Sequence, residues 1–381
     1  MSDPTTLPEP DRIVGAPHPR ETERLFGQAA AEASFLDAYN AGHLHHGWLL
    51  TGPRGVGKAT LAWRIARFLL SQPPGGDQAG GGLFGDAPPL PATLDIAAGS
   101  PVARRILAGA EPGLFHLRRG PNDKGDRLSA DIRVDEVRKL RSFLQLSAAD
   151  GGRRVVIVDS ADELNTAAAN ALLKLLEEPP AGTTLLLVSH QPSALLPTIR
   201  SRCRELRMTG LAPDDLALAL DAAGAEVGDP APLAALAAGS VGEAIRLVNM
   251  EGVAAYHSLV RLFSGMPGLD RPAALSLADS VAQRGGAGEA RFDLMLTLID
   301  IFLTRLARAG VAGPPVLEAA PNEAALFARL APHQGAAQIW ADLHQSAGAR
   351  LRHGRAVNLD PAALLLDMVL TIDQTAGRIS P

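Results

Sequence analysis

Apolar residues are distributed in two different ways along this chain. Up to about residue 207 they come in short unbroken runs, Trp48-Leu49-Leu50, Leu114 to Leu117, Val155-Val156-Ile157-Val158 and Leu185-Leu186-Leu187-Val188. A run without period-two alternation marks a strand buried on both faces. Between the runs the spacing is helical. Leu61, Ile65, Phe68 and Leu69 form one such stretch, Val134 to Leu146 a second, and Leu164, Ala168, Ala171, Leu172, Leu175 and Leu176 a third, which Pro179-Pro180 stops. Strands alternating with helices predict an α/β fold with a parallel sheet covered on both sides. Glu21 to His43 is compatible with a helix. Beyond Arg207 the runs disappear and helical spacing with Gly and Pro breaks takes over. Leu211 to Leu247 predicts a small helical unit, and Arg291–Arg308, Ala336–Leu351 and Pro361–Ile372 predict longer amphipathic helices. There is no internal repeat.

The expected organisation is a flexible leader over 1–20, an α/β domain over 21–207, a small helical unit over 208–249 and an all-α domain over 250–381. A Gly- and Pro-rich insertion at about 71–91 interrupts the α/β domain and is expected to hold no regular structure.

Composition narrows the function classes. With 381 residues, 46% of them apolar, the chain can build two or three cored domains. Its net charge of −5 lacks the basic excess of a protein that grips phosphates alone. Only four of the 36 basic residues are Lys, a bias more suggestive of coding composition than of function. Cys203 is the single cysteine, which excludes an internal disulfide and any zinc site with two thiolates. Met1 to Arg20 carries no apolar signal core, and no stretch approaches the roughly 18 apolar residues of a membrane span. A cytoplasmic protein with no membrane partner is expected. His43, His45 and His46 have no thiolate or carboxylate at ligand spacing and read as surface or packing residues.

The candidate chemistry starts after the first strand. Gly52-Pro53-Arg54-Gly55-Val56-Gly57-Lys58-Ala59-Thr60 fits the phosphate-loop pattern between a strand and a helix. Its glycines would let backbone N–H groups face phosphate oxygens, and Lys58 would reach the outer phosphates. Ala59 stands where a hydroxyl should ligate Mg²⁺, and Thr60 is turned about 100° away along the helix, so weak Mg²⁺ binding is expected. Asp159 ends the run Val155–Val158 and is the second candidate for the metal-nucleotide site. The next residue is Ser160, which cannot replace the water-orienting Glu of an ATPase. Asp162 reads as a solvated or loop-capping acid.

Three segments resemble the clamp-loader branch of the AAA+ family: the glycine loop, Ala169-Asn-Ala-Leu-Leu-Lys-Leu-Leu-Glu-Glu-Pro-Pro180 and Leu196-Pro-Thr-Ile-Arg-Ser-Arg-Cys203. Gly239-Ser-Val-Gly-Glu-Ala244 resembles the lid segment, and Asn358-Leu-Asp-Pro361 a recurrent C-terminal pattern. The resemblance implies an AAA+ domain, a helical lid and a C-terminal collar in a pentameric assembly that uses ATP to place a sliding clamp on primed DNA. The implied partners are gamma/tau-type and delta-type loader subunits, the clamp, and primed DNA contacted through the assembly. Arg202 would then be an arginine finger supplied in trans to a neighbour's ATP. Ala59, Ser160 and Gly242, the last where motor subunits carry a nucleotide-sensing arginine, all depart from the motor pattern. The expectation is a non-motor subunit of a polymerase holoenzyme, itself without ATPase or polymerase activity. It would bind at most ATP or ADP as a structural ligand, with Gly52, Arg54, Gly55, Gly57, Lys58, Ala59, Thr60 and Asp159 around it, and no zinc. The alternative is an ATP-hydrolysing motor subunit.

Overall fold

The structure is a computed structural model that describes residues 7, 9–72, 90–97, 99–146, 152–282, 286–356 and 359–379. In chain order the elements are α1 (Ala29–Asn40), β1 (Gly47–Thr51), α2 (Lys58–Ser71), α3 (Pro101–Leu107), β2 (Leu114–Leu117), α4 (Val134–Leu146), β3 (Arg154–Asp159), α5 (Thr166–Glu177), β4 (Thr183–Ser189), α6 (Pro197–Arg200) and β5 (Arg204–Arg207). Then come α7 (Pro213–Ala222), α8 (Pro230–Ala237), α9 (Val241–Asn249), α10 (Gly252–Phe263), α11 (Arg271–Asp279), α12 (Gly286–Ala312), α13 (Glu323–Leu330), α14 (Gln334–Ala356) and α15 (Pro361–Ile379). The expected α/β class, parallel sheet first and helices after, holds.

The five strands pair in the order β2-β3-β4-β1-β5, every pair parallel. The three central strands are buried at every residue, as unbroken apolar runs require. Within β1 the pleat divides the work. Leu49 joins Leu185, Leu187, Val156 and Val158 on one face, while Trp48 packs on Phe35 of α1 at 4.9 Å between ring centroids. β5 is an edge strand in which only Leu206 is buried, and Arg204, Glu205 and Arg207 leave a charged edge that discourages further pairing. Its lack of an apolar run is why the sequence pattern did not predict it.

The chain divides into two compact units, Met1–Ala225 with Gly239–Glu243, and Glu226–Ala238 with Ala244–Pro381. In the second unit Phe263, Phe302 and Phe327 stack in series at 4.7 and 5.2 Å. Its core also holds an ion pair. Glu323, 0% exposed, accepts from Arg305 Nη2 at 2.8 Å, from Tyr256 Oη at 2.5 Å and from the Ala319 N–H at 2.7 Å. A buried carboxylate survives only with such complete pairing.

Two expectations meet a different picture. The helix compatible with Glu21–His43 spans only Ala29–Asn40, and the residues before it run without regular structure across α2, where Arg67 donates to the carbonyls of Arg20 and Thr22. The leader expected to be loose over 1–20 is anchored from residue 9 onward by Glu9, Asp11, His18 and Arg20. Polar, Pro-rich composition suggested looseness, yet these charges pair with one another, with His116 of β2 and with Arg118 just after it. Most of the expected insertion, residues 73–89, and Asn358 lie outside the described residues. No helix among the described residues is long and apolar enough to cross a membrane.

Candidate functional site

The glycine loop leaves the carboxyl end of β1 and enters α2. Two of its glycines are needed for close approach as well as for positive φ. A Cβ on Gly52 (φ +142) would lie 2.3 Å from the Met208 carbonyl oxygen, and one on Gly55 (φ +78) would lie 2.3 Å from Ser240 Oγ and 3.0 Å from Gly242 N. The loop is therefore packed against its own chain. Ser240 Oγ donates to the Arg54 carbonyl at 2.8 Å, and the Gly242 N–H donates to the Gly55 carbonyl at 3.1 Å.

Lys58 opens α2 but points back into the loop. Only 3% exposed, its Nζ donates to the carbonyls of Gly52 at 2.7 Å and Pro53 at 2.5 Å. Burial lowers its ammonium to about 8, opposed by Asp159 and Asp162. Arg54 is exposed, and Ala59 and Thr60 are half-buried in the first turn of α2.

Asp159 ends β3, two strand positions from β1 across β4, so it and Lys58 sit at the same end of the sheet. It is buried, and burial together with Asp11 and Glu163 raises its carboxyl to about 7. Ser160 follows it with no carboxylate to offer. Asp162 is the expected loop cap, accepting the His190 N–H at 2.9 Å through Oδ1. The imidazole of His190, at the end of β4, is held down to about 4 by burial and by Lys58, and its Nδ1 is buried without a hydrogen-bond partner.

Arg202 lies elsewhere. It follows α6 and precedes β5, whose register with β1 is Trp48 to Arg204 and Thr51 to Arg207. The glycine loop starts after Thr51, so Arg202 precedes a residue that is already about 10 Å of strand rise upstream. Its guanidinium, on a side chain 36% exposed, pairs with Glu177 Oε1 of α5 at 2.9 Å and donates to the Thr198 carbonyl at 3.0 Å. The loop residues and Asp159 are thus brought to one end of the sheet, and Arg202 is not among them.

Comparison with known proteins bears on the same region. Residues 93–212 match the family model described as DNA polymerase III, delta subunit. DNA polymerase III subunit delta' of Pseudomonas aeruginosa PAO1 is 43% identical over 158 residues, 42% of this chain and 41% of the relative. The same subunit of Escherichia coli K12 is 36% identical over 214 residues, 55% of this chain and 56% of the relative. Over these stretches the chain is similar to DNA polymerase III delta-prime subunits. The family-model match falls within the sheet-bearing region, and the chain spans about half the length of these curated relatives. DNA polymerase III subunit gamma/tau of Mycobacterium tuberculosis H37Rv is 31% identical over 187 residues, 48% of this chain and 28% of the relative. A solved DNA polymerase III gamma subunit-related protein from Thermotoga maritima is a looser likeness, 16% identical with a TM-score of 0.44 over 90% of this chain and 99% of its own.

Sequence reasoning missed several residues of this site. His190 left no local signal, because its importance is that the topology sets it beside Lys58. Asp11, His18 and His116 come from the amino-terminal segment and β2, and only the fold brings them to Asp159. Ser240 had a readable signal, a small hydroxyl residue at a helix start, where it caps the Glu243 N–H at 3.1 Å.

Proposed function

We propose that this chain is a non-motor, delta-prime-like subunit of a DNA polymerase III clamp loader, one that helps place a sliding clamp on primed DNA. The observation that carries the reading is the 43% identity to the Pseudomonas delta-prime subunit over 158 residues, with a family match at 93–212 that includes the Ser-Arg-Cys turn. Local geometry supports the non-motor part. Lys58 is engaged by the loop's own carbonyls, the Gly242 and Ser240 segment lies on the loop, Ala59 offers no hydroxyl and Ser160 no carboxylate. A chain so built turns over no ATP, and ATP or ADP would serve it only as a structural ligand, held by Gly52, Arg54, Gly55, Gly57, Lys58, Ala59, Thr60 and Asp159.

Arg202 is the trans arginine finger of the same proposal. It lies away from its own glycine loop and remains half-exposed on one weak, solvent-screened ion pair, which a neighbour's γ-phosphate can replace. The division into an AAA+ domain to 207, a lid to 249 and a collar beyond, with gamma/tau and delta subunits as partners, belongs to this reading. The identity to gamma/tau favours a motor subunit to a lesser degree. The test is twofold: the purified chain should show no ATP turnover above that of its Lys58→Ala variant, and it should co-elute with gamma/tau and delta subunits as a stoichiometric complex. Turnover abolished by Lys58→Ala would overturn the non-motor assignment, and failure to co-elute would overturn the loader assignment.

A further inference from the structure

Three ligand-capable atoms from distant parts of the chain converge at the acid end of β3. One oxygen each of Asp11 and Asp159 and a ring nitrogen of His116 all lie within 4.8 Å of one another. We propose that Asp11, His116 and Asp159 form a binding site for a borderline first-row divalent cation of the zinc or cobalt class, one that binds without nucleotide and straps the amino-terminal segment to the sheet. The inference goes beyond the clamp-loader reading and does not depend on it.

The donors are placed as ligands are. His116 Nε2 is buried with no hydrogen-bond partner and lies 3.7 Å from Oδ2 of Asp11, whose side chain is 2% exposed. Buried polar atoms are rarely left without partners unless something completes them. Neighbouring groups hold the donors in place. Arg118 Nη1 takes the other Asp11 oxygen at 2.7 Å. His18 Nδ1 accepts the Arg20 N–H, and its Nε2 faces Asp11 Oδ2 at 2.7 Å. Trp63 closes the site edge-on against both rings, at 5.9 Å from His18 and 5.1 Å from His116.

Charge and donor type agree with this geometry. The His116 ring offers a nitrogen lone pair, and the Asp11 carboxylate is faced by His18 and Arg118. A second buried carboxylate, Asp159, stands against it, and a divalent cation would compensate both. Two carboxylates with one imidazole suit zinc or cobalt better than magnesium, which prefers oxygen alone. The site uses no thiolate, and so differs from the cysteine-rich zinc sites that a single Cys203 excludes.

The chelator-treated full chain, with no nucleotide present, is titrated with cobalt(II) and followed by the visible absorption of the bound metal, with equilibrium dialysis for stoichiometry. The expected result is one cobalt per chain, weakened about tenfold or more by Asp11→Asn and by His116→Gln and unchanged by His45→Gln in the separate histidine cluster. On the unaltered chain alone, zinc should raise the thermal midpoint progressively with its concentration, which keeps the test valid if a variant folds poorly. No saturable binding, no zinc-dependent rise in the midpoint, binding that survives both ligand variants, or binding lost with His45→Gln would each overturn the proposal.

Discussion

The Gly242 N–H donates to the Gly55 carbonyl at 3.1 Å, so a residue in the segment that resembles a nucleotide-sensing lid is hydrogen-bonded to the loop that would cradle the phosphates. The absence of a side chain at both positions makes this possible. A Cβ at Gly242 would meet the Gly55 Cα at 3.1 Å. Gly55→Ala should destabilise the chain by about 1–3 kcal/mol, since it combines a positive φ with a close backbone approach. Gly99→Ala, where an added Cβ meets nothing within 4 Å, should stay within about 0.5 kcal/mol. Urea unfolding of both variants checks the pair.

Removing the loop lysine should matter little to the assembled machine. If this chain hydrolyses nothing, Lys58→Ala in a reconstituted loader should change clamp- and DNA-stimulated ATP turnover by less than about twofold. A rate measurement at equal assembly decides it, because loss of a working nucleotide site would cost about 10² or more.

Cys203 offers a pH test of the packing beside β1. Burial pushes its thiol up to about 12, so at pH 8 it is almost wholly protonated, while a free cysteine is about one-quarter thiolate. Alkylation of the folded chain should therefore be on the order of 10³-fold slower than that of the urea-unfolded chain at pH 8. The folded rate should keep rising about tenfold per pH unit past pH 9, where the unfolded rate levels off. Timed iodoacetamide labelling read by mass spectrometry measures both slopes.

The buried Glu323 is expected to dominate the stability of the second unit. Glu323→Ala removes the counter-charge of Arg305, leaving it the carbonyls of Ala235 and Leu317, and takes the acceptor from the Tyr256 hydroxyl; it should cost about 3–5 kcal/mol, whereas Tyr256→Phe should cost about 1–2 kcal/mol. A double-mutant cycle by thermal unfolding should show coupling between Glu323 and Arg305.

How much of this was legible in the sequence differs by element. Strands β1, β3 and β4 were readable because burial on both faces demands unbroken apolar runs, and helices α4 and α5 because their buried residues recur at helical spacing. The charged edge strand β5 carried no such signal. Helix α12 was read as Arg291–Arg308 but extends over Gly286–Ala312, since terminal turns with small residues add no periodic contrast. The chain beyond residue 250 read as helices with little interior charge, and Glu323 is an exception whose side-chain partners, Tyr256 and Arg305, come from other helices. At the site, the glycine loop and Asp159 were readable as local patterns. The Asp11, His18 and His116 group was not, because it exists only once the leader crosses β2.

The central claim is that Arg202 acts on a neighbour's nucleotide from a chain that burns none itself. The direct measurement is ATP turnover by the reconstituted loader with clamp and primed DNA, comparing the chain as it stands with Arg202→Ala at equal assembly and with Glu177→Gln, which removes only the pairing carboxylate. The account predicts a fall on the order of 10³ in rate for Arg202→Ala, with the complex intact, and near-normal turnover for Glu177→Gln. Unchanged turnover with Arg202→Ala would contradict it and reduce Arg202 to the surface ion pair it makes with Glu177.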